Sequence, residues 1–313
     1  MKIGIIGYGN MGSLIANNIL KLDLLFDEES LIIANRHLEK IENLKEKYAK
    51  EYESSKLELT DNNIKVAKEC DKIIISVETP QFKDIIGEIS DYINEDTHII
   101  YTCAGLNFNH IKTFYKGKLT LIIPTIASMA TEECSIKSNS RRKGISLFKH
   151  NSKVTIEDKQ YIEDLFNEFS YVKLVEDEKE QNTNKIENTN KIENNKFRED
   201  NELEIQTIIT SCGPAFIGII LKKLADIISE KSNLTITEVE EMVSKTIIGT
   251  LEVKNNYNFT NEEIMNKVAT KGGITQEGID YLDKSLDTIT NELINQLLKR
   301  YLEVKKDMDK EYL

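Results

Sequence analysis

Met1-Lys-Ile-Gly-Ile-Ile-Gly7-Tyr-Gly9-Asn-Met-Gly12-Ser13 is the stretch that decides the fold of this chain. A short apolar strand leads directly into the spacing Gly7-x-Gly9-x-x-Gly12, and apolar residues then recur at helical intervals. In a dinucleotide-binding turn, Gly7 would permit the tight bend, Gly9 would let the backbone approach a pyrophosphate, and Gly12 would let the helix pack on the strand. The strand before the glycines and the helix after them favour this reading over a glycine-rich turn without nucleotide.

The composition is that of a globular protein. At 313 residues with 40% hydrophobic content, the chain can form about two domains with substantial cores. A net charge of -12 provides no basic surface for nucleic acid or anionic membranes, so neither is an expected partner. The first strand begins at residue 2 and leaves no room for a targeting leader, so we expect a cytoplasmic protein.

Cysteines and histidines give no sign of a metal site. The cysteines contain no Cys-x-x-Cys pair, and the histidines lack the spacing of metal ligands, so we expect no metal. The cysteines are Cys70, Cys103, Cys134 and Cys212, and the histidines are His37, His98, His110 and His150.

Strand and helix patterns alternate through the first half of the chain. This alternation predicts a mostly parallel, doubly wound sheet of the Rossmann type, which we assign to an NAD(P)-binding domain at residues 1–176. Strands are predicted at 31–34, 71–77, 97–102, 119–123, 144–148 and 171–175, and helices at 82–93 and 156–169.

The composition changes sharply after this half. Residues 177–202 are almost wholly polar, and Asn182-Thr-Asn-Lys-Ile-Glu187 is repeated at once as Asn188 to Glu193, which predicts a flexible insert. Only helical periodicity follows, so residues 203–313 are predicted to form an all-helical domain. The apolar stretch from Ile205 to Leu221 contains polar residues and is short for a membrane span, which favours a buried helix.

Two segments of the second half differ from plain helix: Thr210-Ser-Cys-Gly-Pro-Ala-Phe216 and Val268-Ala-Thr-Lys-Gly-Gly-Ile-Thr275. In the second, the glycine pair leaves backbone N–H groups free to face an anion such as a carboxylate, with threonine hydroxyls beside them. A helix-capping turn would use glycine and threonine equally well. The spacing alone leaves both interpretations open.

Together the motifs resemble the pyrroline-5-carboxylate reductase family, which catalyses the last step of proline biosynthesis. The resemblance implies a Rossmann domain followed by an all-α dimerisation domain, 6-phosphogluconate dehydrogenase C-terminal-like. Two subunits would build each active site of a homodimer, and larger rings of dimers also occur in the family. The matching segments are Gly7 to Gly12, Ala104-Gly105, Pro124, Thr207, Cys212 to Phe216, and Val268 to Thr275.

This resemblance also implies the chemistry. Hydride from NADPH would pass to the imine carbon of L-Δ1-pyrroline-5-carboxylate and give L-proline. Thr275 would hydrogen-bond the imine nitrogen, and its alcohol suits orientation better than proton donation. Thr270, Gly272 and Gly273 would hold the substrate carboxylate, and Thr207 is assigned to the same substrate site.

The end of the second strand bears on cofactor choice. Asn35-Arg36 stands where NAD-binding proteins carry an acidic residue, so a neutral amide and a forked cation favour the 2′-phosphate of NADPH, with NADH as the open alternative. By resemblance, Asn62 would lie near the adenosine ribose. The full set of predicted cofactor-binding residues is Gly7, Gly9, Asn10, Met11, Gly12, Asn35, Arg36, Asn62, Val77, Ala104 and Gly105.

Several positions depart from the family pattern around the substrate cleft. They are Glu78 in place of lysine, Leu121 and Thr125 in place of arginine and asparagine, Cys212 in place of serine, and Lys271 in place of proline. The variants also resemble a divergent branch, the late competence protein ComER. The alternatives to proline formation are therefore a reductase of another imine or keto substrate, or a non-catalytic NADP-binding regulatory protein.

Overall fold

The computed structural model describes residues 1–25, 28–49, 56–131, 142–175 and 202–313. These residues divide into two compact units, residues 1–211 with 300–313 and residues 212–299. All but the last residue of the predicted insert at 177–202 lies outside the described residues, as does Cys134. The predicted domain limits stay a prediction, and the first unit also includes the C-terminal residues.

The first unit is built on one eight-stranded sheet with strand order β3-β2-β1-β4-β5-β6-β7-β8. Strand β7 runs antiparallel to β6, and the other neighbours are parallel. The doubly wound sheet predicted from the alternation is therefore confirmed. The strands are β1 (Lys2–Ile6), β2 (Ser30–Ala34), β3 (Leu57–Thr60), β4 (Lys72–Ile75), β5 (His98–Tyr101), β6 (Lys118–Ile123), β7 (Ile145–His150) and β8 (Tyr171–Leu174).

Helices cover both faces of this sheet. The apolar side chains of β4 alternate between two cores, with Ile73 and Ile75 in one and Ile74 in the other. A strand buried on both faces needs a continuous apolar run, which explains Ile73 to Ile75. The helices are α1 (Asn10–Lys21), α2 (Leu44–Lys47), α3 (Asn63–Glu69), α4 (Thr79–Ile89), α5 (Phe108–Ile111), α6 (Ile156–Asn167) and α7 (Glu202–Thr207).

The C-terminal residues complete the core of the first unit. Met308 and Tyr312 are buried in the same cluster as β4 and α4. The buried ring of His110 places its Nε2 2.8 Å from Oδ1 of Asp309. Nothing in the helical periodicity of the sequence indicated this packing.

The second unit is helical throughout its described residues. Its helices are α8 (Gly213–Glu230), α9 (Ile236–Tyr257), α10 (Asn261–Val268) and the part of α11 (Ile274–Tyr312) up to residue 299. Capping boxes fix the starts of α9 and α10, because Thr235 pairs with Glu238 and Thr260 with Glu263.

Apolar side chains on this unit remain largely exposed. The helix expected to be buried from Ile205 to Leu221 is buried only in its first part in the single chain. Thr207 and Ile208 are buried in the first unit, whereas Ile217, Ile219 and Ile220 are each more than half exposed. Among the described residues, the helical run Glu202–Glu230 is long and apolar enough to cross a membrane, by length and composition only. Helix α8 packs on α9 but leaves its remaining apolar face uncovered by the rest of this unit.

A row of hydrogen-bonded polar side chains links the neighbouring strands β5, β6 and β7. Thr120 Oγ1 lies 2.7 Å from Nε2 of His98 and 2.8 Å from Nδ1 of His150, and Nε2 of His150 lies 3.1 Å from Glu163. Burial lowers the pKa of His98 to about 3 and that of His150 to about 4. Both rings are therefore neutral in the folded protein near pH 7.

The surroundings of these rings oppose protonation as well. The neighbouring Lys72 lowers the pKa of His98 further, and Lys159 does the same for His150. Asp158, which pairs with Lys72 and Lys118, acts in the opposite direction on His98. Desolvation remains the largest cause for both histidines.

Because His98 and His150 are buried in their neutral form, the free energy of unfolding should fall as the pH is lowered. A histidine with a folded pKa below its unfolded value of about 6.5 takes up its proton on unfolding. The stabilisation is complete above pH 6.5 and is lost as the pH falls toward the folded values, at about 1.4 kcal/mol per pH unit for each ring. Urea unfolding between pH 7 and 5 measures this slope.

Two variants separate the buried rings from other groups. His150→Gln should flatten the slope, whereas His37→Gln should leave it unchanged because His37 is exposed. Working above pH 5 avoids the protonation of Asp158, whose pKa is held well below its usual range by the hydrogen bonds from Lys118 and Lys72 despite opposing desolvation. A slope of zero in the wild-type protein would contradict this account.

Candidate active site

A cleft of about 780 Å³ opens at the carboxyl ends of β1, β2 and β4. Parallel sheets of this topology bind ligands at that edge, where the strand order reverses beside β1. The cleft gathers seven of the predicted cofactor residues: Gly7, Gly9, Asn10, Met11, Asn35, Arg36 and Val77.

Two glycines at this edge are required by the protein's own packing. Gly7 has φ +97°, and a Cβ there would lie 2.3 Å from the carbonyl oxygen of Ser76. A Cβ on Gly12 would lie 2.0 Å from the carbonyl oxygen of Gly7. Helix α1 therefore approaches the turn more closely than any side chain would permit, as the spacing predicted for Gly12.

Gly9 has different surroundings from Gly7 and Gly12. A Cβ on Gly9 would meet no atom within 4 Å, so nothing in the protein requires glycine at this position. The side chain would instead enter the space at the start of α1. A free cradle of this kind fits the pyrophosphate of a dinucleotide, which needs close contact with the backbone.

The N-terminus of α1 is free to bind an anion. Gly9 occupies the N-cap position and offers no side-chain cap, and the first turn carries no acidic residue. The first N–H groups of a helix lack internal partners, and the helix dipole adds positive potential. These donors and the cradle at Gly9 form a site suited to phosphate.

Asn35 joins the two loops that border this cradle. Its Oδ1 accepts a hydrogen bond from the backbone N–H of Tyr8 at 3.0 Å, and its Nδ2 donates to the carbonyl oxygen of His37 at 2.8 Å. Its backbone N–H also donates to Thr60 at 3.0 Å. The amide thus holds the glycine turn and the loop after β2 together.

The ring of Tyr8 anchors the glycine turn from its other side. The hydroxyls of Tyr8 and Tyr48 both donate to Oδ1 of Asn17, at 2.8 and 3.0 Å. Burial raises the pKa of Tyr8, so its hydroxyl stays protonated and remains a donor. The turn is therefore fixed before any ligand enters.

Three basic side chains line the cleft after β2. Arg36, His37 and Lys40 are all exposed there, and the guanidinium of Arg36 has no hydrogen bond or ion pair with any described residue. Arg36 was predicted as a cofactor residue from the sequence, whereas His37 and Lys40 were not. The clustering of three basic residues within five positions after a strand could have indicated them.

Four predicted cofactor residues do not line the cleft. Gly12 serves packing, and the side chain of Asn62 caps α3 by accepting the N–H of Lys65 at 3.1 Å. Ala104 packs on the core, and a Cβ on Gly105 would lie 3.0 Å from Val304. These four residues therefore make contacts within the local fold, and their role in cofactor binding stays a prediction.

The ends of β4 and β5 form the opposite wall of the cleft. Thr102 Oγ1 donates to Ser76 Oγ at 3.1 Å, and both residues line the cleft. The Cys103 thiol donates to the carbonyl oxygen of Val77 at 3.2 Å, and burial raises its pKa to about 12. Cys103 therefore acts as a fixed neutral donor rather than as a nucleophile.

Among the altered positions in the first unit, Glu78 is the residue that lines this cleft. Leu121 is buried in β6, and Thr125 is buried with its hydroxyl accepting the N–H of Ala127 at 3.3 Å. Those two side chains belong to the local fold.

The predicted substrate motif forms a compact turn at the start of α11. The N–H of Gly273 donates to the carbonyl oxygen of Thr270 at 2.8 Å, and Gly272 has φ +75°. Thr275 lies exposed in the first turn of the helix. The turn is thus a helix start, and the N–H groups after Gly273, in the first turn of α11, leave it competent to bind a carboxylate.

The other substrate motif contains a π-helical segment, Ile208–Cys212, between α7 and α8. Pro214 lacks an N–H group and its ring crowds the carbonyl one turn earlier, which explains the widened turn. Thr207 is buried just before this segment and donates to the carbonyl oxygen of Leu203 at 2.7 Å. Its hydroxyl proton is therefore engaged within the helix.

The chain matches two protein-family models. Residues 2–105 match the family described as NADP oxidoreductase coenzyme F420-dependent, and residues 200–304 match the pyrroline-5-carboxylate reductase dimerisation family. The first match covers the glycine turn and the loop after β2. The second match covers both unusual helical motifs.

Several relatives match almost the whole chain. A pyrroline-5-carboxylate reductase of Methanobrevibacter smithii is 36% identical over 91% of this chain and 98% of its own length. ComE operon protein 4 of Bacillus subtilis is 20% identical over 97% of this chain and 96% of its own length. The structure of Plasmodium falciparum pyrroline carboxylate reductase with NADP bound has a TM-score of 0.70 and 20% identity, covering 98% and 97% of the chains.

The contrast between Gly9 and Gly12 gives a test of the cradle. Gly9→Ala should leave thermal stability almost unchanged, because its Cβ enters open space, but should weaken NADPH binding at least tenfold by occupying the pyrophosphate position. Gly12→Ala should lower the melting temperature by several degrees, because overpacking costs about 1–3 kcal/mol. Thermal unfolding without ligand and a fluorescence titration with NADPH measure the two effects.

Gly9→Ala and Gly12→Ala test two separate claims, one about ligand binding and one about packing. Unchanged NADPH affinity in a folded Gly9→Ala variant would show that the cradle does not receive the dinucleotide. A Gly12→Ala variant as stable as the wild-type protein would contradict the packing assigned to α1.

Proposed function

This chain belongs to the pyrroline-5-carboxylate reductase family, and from that membership we propose that it reduces L-Δ1-pyrroline-5-carboxylate to L-proline with NADPH. The observation that carries the proposal is the pairing, in one chain, of the cradle at Gly9 with the glycine turn at Thr270 to Thr275. The first fits a dinucleotide, and the second fits a small carboxylate.

The cleft contains the groups needed to hold the cofactor. The free N–H groups at the start of α1 would bind the pyrophosphate, and Gly9 would give it room. Arg36 would take the 2′-phosphate with its forked donors, assisted by His37 and Lys40. Asn35 would hold the glycine turn and the loop after β2 in a fixed position relative to each other. The absence of an acidic residue after β2 favours NADPH over NADH.

NADPH, when bound, would supply the hydride that the imine carbon of the substrate requires. The protein's contribution is to orient the imine and to hold its carboxylate. The turn formed by Thr270, Gly272 and Gly273 would present that carboxylate to the N–H groups that begin α11 and to the hydroxyl of Thr270, while the N–H of Gly273 donates within the turn. We assign Thr207 a supporting role in the same substrate site.

Thr275 would orient the imine nitrogen. Its hydroxyl can donate to a bare imine nitrogen or accept from a protonated one, so it can bind the group in either form. An alcohol is a poor proton source at neutral pH, so the proton that proline retains on nitrogen would be taken up by the imine from buffered solvent and not from Thr275. Thr275 therefore aligns the reacting bond.

A regulatory relative that binds NADP without catalysis is the second candidate. The match to ComE operon protein 4 and the altered residues Glu78, Cys212 and Lys271 favour it. The higher identity to the archaeal reductase, 36% against 20%, supports the enzyme. Turnover separates the two candidates directly.

The exposed apolar faces of the helical domain support a homodimer. Residues 200–304 match a dimerisation family, and large side chains on α8 and α9 remain uncovered within their unit. A second subunit would bury them, which accounts for the apolar helix at Glu202–Glu230 without a membrane. We propose further that dimers assemble into a ring and that the protein is cytoplasmic.

Thr275→Val removes the hydroxyl that would orient the imine and nearly preserves the side-chain volume. We expect kcat/KM for L-Δ1-pyrroline-5-carboxylate to fall about 10–100-fold, the usual cost of losing one hydrogen bond to a charged group. Thr275→Ser should retain activity within a few fold. NADPH oxidation at 340 nm with the purified protein measures both variants.

No turnover by the wild-type protein, with NADPH binding intact, would favour the regulatory candidate. If Thr275→Val turns over as fast as the wild-type protein, the protein is still a reductase, but Thr275 does not orient the imine.

A charge on the exposed face of α8 should prevent dimer formation. Ile220 is 57% exposed in the single chain, and we expect Ile220→Glu to convert dimers into monomers in sedimentation velocity. Lys223→Glu is a matched control on the same helix, since Lys223 is already charged and exposed. A wild-type monomer at micromolar concentration would contradict the proposed dimer.

A further inference from the structure

The carboxylate of Glu78 lines the cofactor cleft without a protein partner. Glu78 occupies the N-cap position of α4 but makes no side-chain cap hydrogen bond. Its exposed side chain has no hydrogen bond or ion pair with any described residue. Glutamate is not a favoured N-cap residue, so helix capping does not account for its presence.

The position of Glu78 in the sheet tells which half of a dinucleotide it faces. The turn after β1 receives the pyrophosphate, and the loop after β2 receives the adenosine ribose and its phosphate. Strand β4 pairs with β1 on the side opposite to β2. The nicotinamide half would therefore lie toward the end of β4, close to the start of α4 where Glu78 is the N-cap residue.

The basic and acidic side chains that line the cleft lie on different elements. Glu78 lies on the α4 side with Asp84 and Glu88, and Asp61 follows β3. The basic residues Arg36, His37 and Lys40 all follow β2. No basic residue among the described residues lines the cleft from β4, α4 or β5. The negative charge of Glu78 is therefore not neutralised by a basic residue on this side of the cleft.

The two redox states of the nicotinamide differ in charge. The oxidised ring carries one positive charge, whereas the reduced ring is neutral. A nearby carboxylate attracts the first and does not attract the second. The effect of this carboxylate on nucleotide affinity therefore depends on the redox state of the ring. A charge near the adenosine half would affect both forms equally, because that half is the same in both.

We propose that Glu78 is a specificity-determining residue that makes the cleft favour NADP+ over NADPH. The inference rests on the proposed function, because it requires the dinucleotide to lie in this cleft. Glu78 would hold the oxidised product more tightly and so strengthen inhibition by NADP+. The residue thus sets the balance between the two cofactor forms without taking part in hydride transfer.

Binding constants of the variant Glu78→Gln test the proposal without reference to turnover. The side chain keeps its shape and loses its charge. The ratio of Kd for NADP+ to Kd for NADPH should rise about twofold to fivefold, the range for exposed charge pairs. The shift should be larger at low ionic strength, where screening is weak. Calorimetry with each nucleotide separately provides both constants.

Asp61→Asn is the matched control. Asp61 also lines the cleft and is exposed, but it follows β3 on the adenosine side. Removing its charge should change both dissociation constants by the same factor and leave their ratio constant. The thermal stability of both variants should equal that of the wild-type protein.

The possible results are distinguishable. A ratio that changes in Glu78→Gln alone supports the proposal. A ratio unchanged in Glu78→Gln, or shifted equally in Asp61→Asn, overturns it and leaves the reductase function intact. Failure of the wild-type protein to bind either nucleotide would overturn the cofactor assignment, and this inference with it.

Discussion

The crowding of backbone at the β1–α1 turn is the constraint on which the cleft depends. The absent side chains of Gly7 and Gly12 let β4, the turn and the helix meet at distances that a Cβ would not permit. This contact fixes the start of α1 in front of the sheet. Gly9 then lies where the protein leaves open space, so the same turn provides both the rigid support and the room for a ligand.

The hydrogen bonds around the turn extend this constraint to the whole cofactor cleft. Asn35 ties the turn to the loop that carries Arg36, and Tyr8 ties it to α1 through Asn17. A dinucleotide would therefore meet a preformed surface, in which the pyrophosphate and 2′-phosphate positions have a fixed separation. Preorganisation of this kind lowers the entropic cost of binding.

The sequence predicted the sheet and the glycine turn well, because both are encoded in local patterns. Strand β3 was missed because Leu57-Glu-Leu-Thr60 is short and half polar. Asn35 and Asn62 were predicted as cofactor residues from their positions, but the sequence could not show that Asn35 also joins two loops or that Asn62 caps a helix, since both roles depend on partners that the fold brings together. The packing of Tyr312 into the first unit also escaped prediction, since helical periodicity shows an apolar face but does not identify its partner.

A crystal structure of the protein with NADPH tests the central claim most directly. We expect the pyrophosphate at the free N–H groups that begin α1, directly over Gly9, with the 2′-phosphate within hydrogen-bonding distance of Arg36. Electron density for the dinucleotide elsewhere on the first unit, or a 2′-phosphate facing away from the loop after β2, would contradict it.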